Sequence, residues 1–208
     1  VLIYGTNSYK GQIINYATLQ NSPYNSYVLN VTGSFTNNGT VKNNIYYFYL
    51  NISGDVTNNG IWRNYQTVLN GTGTHNLAFS DRFEGDFLTN ANAVGSMIAT
   101  TDLVFDGTTI ELNNCSFTLG TGSLLSVLNG SLSNAVIAGS DIHFHSLGAY
   151  CVGVVFNTDV TLKGVVQVGS GVSFNGSIIN DGVLRNRGIN SYAIQVLCGI
   201  QNNGSIVN

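Results

Sequence analysis

The chain has 208 residues, a net charge of −3 and only 8% charged side chains, with 25 glycines and one proline. Seven Lys and Arg cannot form the basic stripe that phosphate contacts need, which excludes a nucleic-acid binder of that kind. An apolar content of 43% excludes charge-rich disorder, and no run of about 18 apolar residues is present to span a membrane as a helix.

Read from the N-terminus, Val1 to Tyr4 is too short for the apolar part of a secretory leader, so a secreted form is expected to be a processed segment. The first ordered signal is a repeat. GQIINYATLQN (11–21), GSFTNNGTVKN (33–43) and GDVTNNGIWRN (54–64) align at offsets of 22 and 21. GSIINDGVLRN (176–186) and CGIQNNGSIVN (198–208) align at an offset of 22. Between these groups, Gly85, Gly107, Gly130 and Gly153 start degenerate copies, giving nine units in steps of 21 to 23 residues with one exception. The one irregular step, 31 residues from Gly54 to Gly85, implies a loop inserted near 73–84 in a single domain covering 1–208.

The third position of eight of the nine units is apolar, and the fifth is Asn in seven: Asn15, Asn37, Asn58, Asn134, Asn157, Asn180 and Asn202. Apolar residues alternate at period two, without a helical period, and Asn-Gly or Asp-Gly closes each run with a turn that tolerates positive φ. Hairpins do not repeat the same residue types at the same phase; stacked coils do. The predicted fold is all-β: a right-handed parallel β-helix of about nine coils of 22–23 residues, with one inserted loop. Coils stacked about 4.8 Å apart turn the Asn positions into a ladder in which each amide oxygen accepts from the NH₂ of its neighbour. Nine coils make a rod roughly 45 Å long.

The phrases GSFTNNGTVKN (33–43), GDVTNNGIWRN (54–64), VLNGTGTHNL (68–77) and LVFDGTTIELNN (103–114) resemble the Asn/Gly/Thr-rich repeats of secreted, adhesin-like surface proteins of Bacteroidota and Ignavibacteria-type bacteria. The resemblance implies an extracellular or cell-surface location, often reached through the type IX export system. It supplies no active-site residues.

Four groups are candidates for chemistry. Asp141, His143 and His145 alternate along a strand and so share a face, where two imidazoles and a carboxylate can ligate a metal. Their spacing of about 7 Å favours a solvated face instead. Asp81, Arg82, Glu84, Asp86, Asp102, Asp106 and Glu111 cluster in or after the expected insertion, the arrangement a β-helix polysaccharide lyase or hydrolase would use for acid–base work. An exposed loop carries charge for simpler reasons. Eight of eleven tyrosines fall in the first 49 residues, and Tyr46, Tyr47 and Tyr49 are the candidate interface aromatics. Cys115, Cys151 and Cys198 match no metal or redox spacing and read as small buried residues, with one disulfide and one leftover thiol as the alternative. Eight N-x-[S/T] sequons read as turn and ladder chemistry in a bacterial protein and as glycan acceptors in a eukaryotic one.

No cap is legible at either end, and an uncapped solenoid stacks on its neighbour, a contact that does not close. The expected function is non-enzymatic and structural: a subunit of an extracellular fibre or sheath, its partner another copy of itself joined head to tail, with no cofactor. An adhesin that binds a surface glycan and a polysaccharide-degrading enzyme are the alternatives.

Overall fold

The structure, a computed structural model, describes residues 1–90, 94–106, 109–188 and 191–208. Gly107, the expected start of one unit, lies outside these. The described residues form 25 strands and no helix, stacked in parallel as a β-solenoid of about nine turns. No helix among them is long and apolar enough to cross a membrane.

Each coil runs over three faces. One coil passes through Tyr27–Val31 on the first face, Phe35–Asn37 on the second and Thr40–Lys42 on the third, then returns to the first face at Phe48–Ile52. The alternation seen in the sequence does this locally. In Phe48–Ile52 the side chains of Phe48, Leu50 and Ile52 are fully buried, while Tyr49 and Asn51 point outward. The same residue types recur one coil on, so Leu29 sits over Leu50 and Val31 over Ile52.

The core is a column of aromatic and aliphatic side chains. Phe83 and Phe105 each pack at 5.5–5.7 Å against Phe79 and Phe87 and against each other. Farther along, Phe144 meets Phe156 at 5.6 Å, and Phe156 stacks on Phe174 at 4.8 Å. Burying each ring fully contributes about 1.5–3 kcal/mol.

Three expectations about the coil need correction. The residues expected to form an inserted loop do not: Gly73–Phe79 is a strand of the second face, with Leu77 over Val56 and Phe79 over Asn58. Next, Phe83–Thr89 stacks on Ile61–Leu69 with Trp62 beside Phe83. The 31-residue step is therefore a change of sequence wording across an unbroken stack. The coil length is also not constant. Ile142, Val160 and Ile178 are vertical neighbours 18 residues apart, whereas Ile178 and Ile200 are 22 apart. Turns shrink to make the short coils. Single residues at positive φ, Asn134 (48°) and Gly153 (62°), bend the backbone between the first and second faces.

Finally, the Asn-x-Gly motif does not hold one position around the coil. In residues 33–64 it joins the second face to the third, after Phe35–Asn37 and Val56–Asn58. In 176–186 it joins the third face to the first, because Ile178–Asn180 stacks on 160–162 and Val183–Asn186 on 165–168.

Candidate functional site

The repeated polar side chains build ladders along the axis. Asn15 Nδ2 donates to Asn37 Oδ1 at 2.8 Å, and Asn37 Nδ2 donates to Asn58 Oδ1 at 2.9 Å. A second, separate ladder joins Asn180 Nδ2 to Asn202 Oδ1 at 2.7 Å. Each ladder amide also has a local task. Asn37 Oδ1 accepts the Gly39 N–H at 3.2 Å, Asn58 Oδ1 the Gly60 N–H at 3.3 Å and Asn180 Oδ1 the Gly182 N–H at 3.3 Å. The second amide hydrogen goes to a backbone carbonyl of the next coil: Thr40 from Asn15, Ile61 from Asn37 and Ser205 from Asn180. A buried amide with four partners, such as that of Asn37, is satisfied, which is why a polar column survives inside the stack.

The glycine that follows Asn37, Asn58, Asn180 and Asn202 by two is required by space, whereas Asn15 is followed by Ala17. A Cβ on Gly60 would lie 2.2 Å from the Gly39 carbonyl oxygen, and one on Gly182 would lie 2.2 Å from that of Gly164.

The first ladder stops at Asn58. Its vertical neighbour is Phe79, and Asn58 Nδ2 is buried without a hydrogen-bond partner. Asn134 and Asn157 belong to neither ladder. Asn134 stands at a corner with φ of 48° and donates to both oxygens of Glu111, at 3.0 and 3.1 Å. Asn157 is exposed, in an outer column with Asn175. Their phase in the sequence matches the ladder, but Asn134 lies at the corner between the first and second faces, and Asn157, at the corner between the second and third, is exposed.

The aromatic candidates cluster at one corner, between the third and first faces of the early coils. Tyr47 and Tyr65 approach to 4.2 Å between ring centres, and Tyr49 meets Tyr65 at 5.3 Å. Desolvation, followed by the neighbouring Tyr65 and Tyr47, raises the Tyr49 hydroxyl above its ordinary value. Tyr24 and Ile45 are 75% and 73% exposed, and Tyr46 and Tyr47 also face solvent. This corner is thus an aromatic ridge whose outermost groups are unburied.

The carboxylates are occupied. Glu84 and Asp106 are vertical neighbours, and Arg82 joins them at 3.2 and 2.9 Å, while Arg63 holds Glu84 at 3.0 Å. Other acids accept backbone N–H groups: Asp81 from Arg82, Asp86 from Thr109, Asp102 from Leu124 and Glu111 from Asn113. Of these, Asp86 and Asp102 reach into the next coil. His143 and His145 are half-buried on the third face. His145 Nδ1 lies 3.3 Å from Ser126 Oγ, and His143 Nδ1 is buried without a partner. Asp141 sits at a turn with φ of 53°. Among the described residues no group of three or more His, Cys, Asp or Glu side chains could hold a metal ion.

Cys115 and Cys151 are buried, and burial pushes the Cys151 thiol up to about 12 and raises that of Cys115. Cys198 departs from the expectation of burial. It is exposed, because it lies on an outer turn, where its thiol donates to the Asn175 carbonyl at 3.2 Å.

Two buried polar arrangements escape sequence reasoning. Trp62 Nε1 donates to Asn64 Oδ1 at 2.8 Å, and Asn64 Nδ2 caps the carbonyls of Phe48 and Gln66. His75, 2% exposed, places its two ring nitrogens 3.2 Å and 2.9 Å from the carbonyls of Gly54 and Gly71. Asn64 holds the closing Asn position of the repeat, as Asn21 and Asn43 do, but Trp62 and His75 have no repeated equivalent, so no periodic signal marks either arrangement.

Comparison with protein families, with characterised proteins and with solved structures gives no match.

Proposed function

We propose that the protein is a non-enzymatic structural rod: an extracellular, surface-borne element of a fibre or sheath in which solenoid coils continue from one copy to the next. The observation that supports this is the sameness of the stacking contact. Parallel strand pairing and apolar columns join each coil to the next, and amide ladders add to them from Asn15 to Asn58 and from Asn180 to Asn202. A coil contributed by a second copy would be held by the same contacts that hold the stack internally. Sedimentation velocity and negative-stain microscopy of the 208-residue protein test it. Concentration-dependent filaments of constant width are expected; a dilute, stable monomer contradicts it.

The aromatic ridge supports a second reading, an adhesin that stacks exposed rings on a neutral surface glycan. Saturable glycan binding lost in Tyr46→Ala and Tyr47→Ala, with the fold intact, would favour this reading over the first.

A further inference from the structure

Asn-Gly pairs are chemically labile as well as good turns. The glycine nitrogen attacks the preceding asparagine Cγ, the bond from Cγ to Nδ2 breaks, and ammonia leaves with the displaced proton. Water then opens the resulting succinimide to aspartyl or isoaspartyl. The reaction needs a glycine N–H free to lose its proton and an asparagine side chain free to swing over it.

The ladder removes both freedoms at two sites. At Asn38-Gly39 the Gly39 N–H is held by Asn37 Oδ1, and Asn38 Oδ1 accepts from Asn59 Nδ2 at 2.9 Å. At Asn59-Gly60 the Gly60 N–H is held by Asn58 Oδ1, and Asn59 Oδ1 accepts from Ser80 Oγ at 3.3 Å. Both asparagines are solvent-exposed, so exclusion of water does not protect them. Asn175-Gly176 is built differently. Asn175 is equally exposed and its amide donates to Asn157, but Phe174 precedes it and offers no amide oxygen to the Gly176 N–H.

We propose that Asn175 is the spontaneous succinimide and deamidation site among these three, and that the internal Asn ladder acts as a chemical guard for Asn38 and Asn59. Only water is needed as co-reactant. Each event at Asn175 places a new carboxylate beside Asn157, in a groove also lined by Asp141 and Asp159.

The test is a time course of the folded protein in mildly alkaline buffer, read site by site by peptide mass mapping that separates aspartyl from isoaspartyl products. Giving up one or two ordinary hydrogen bonds before attack slows Asn38 and Asn59 by about tenfold relative to Asn175. In denaturant the three rates converge. Asn37→Ala releases the Gly39 clamp and brings Asn38 toward the Asn175 rate, while Asn59, guarded by Asn58, stays slow. Equal rates at the three sites in the folded wild-type protein overturn the proposal without reference to any variant. So does an unchanged Asn38 in a folded Asn37→Ala protein.

Discussion

The first three coils and the last two use the same words for different corners. In Asn37-Asn38-Gly39 and Asn58-Asn59-Gly60 the turn leads from the second face to the third; in Asn180-Asp181-Gly182 it leads from the third face to the first. The local chemistry is the same at each: the Asn carbonyl caps the glycine N–H, its amide reaches the next coil, and the glycine lets a stacked carbonyl approach. The motif therefore encodes a kind of corner. It does not encode an address in the coil, and a three-faced solenoid has three corners that can accept it. Between these regions no such ladder is found among the described residues, the Phe column fills the interior, and corners are made by single residues at positive φ.

That contrast can be broken most forcefully at the centre of the first ladder. Asn37→Ala removes two ladder bonds and two bonds to backbone, an expected loss of roughly 4 kcal/mol in denaturant unfolding. Asn58→Ala is expected to cost about half as much, because Asn58 Nδ2 already lacks a partner. Equal losses would mean that the break at Phe79 has no energetic meaning.

The middle coils respond to pH instead. The Cys151 thiol is raised from 9.0 to about 12 on folding. Between those values the unfolded state loses a proton that the folded state keeps. Stability from this residue is intact below pH 9.0 and falls as pH rises through the window, by about 1.4 kcal/mol per unit. Unfolding of the wild-type protein and of Cys151→Ala, compared from neutral to alkaline pH, isolates this slope from the tyrosines. Parallel curves would contradict it.

A corner residue outside the ladder has a smaller and opposite signature. Asn134→Gly is expected to be close to neutral, since glycine accepts φ of 48° freely while the bonds to Glu111 are lost. Asn134→Ala is expected to cost about 1 kcal/mol, the strain of a left-handed alanine. The smallest effect belongs to the surface ion pairs. Arg82→Ala should cost under about 1 kcal/mol, and the difference should fade in high salt.

Much of the fold was legible because stacking imposes the same demand on each coil. Strand pairing, the alternation of Phe48–Ile52 and the amide bonds of Asn15, Asn37 and Asn58 follow from residue type and offset. The middle was illegible in register because its corners need only one residue of suitable φ, which Asn134 and Gly153 supply without a motif, and so coil length drifts to 18. Gly85 and Gly153 look like unit starts in the sequence; both are corner residues at positive φ. The aromatic corner was half legible. Tyr46, Tyr47 and Tyr49 stand out by their clustering, but Tyr65 lies one coil on, and only the stack brings it to Tyr47.

The unbroken stack across residues 73–84 is tested most directly by disulfide trapping on the second face, with Cys198→Ser to remove the exposed native thiol. Thr57 and Ala78 are register partners pointing outward in adjacent coils, at the parallel-strand spacing of about 4.8 Å that a disulfide can bridge. Leu88 would be the partner of Thr57 if 73–84 were an inserted loop. The expected result is rapid, near-complete oxidation of Thr57→Cys/Ala78→Cys and none of Thr57→Cys/Leu88→Cys; the reverse pattern would contradict the continuous solenoid.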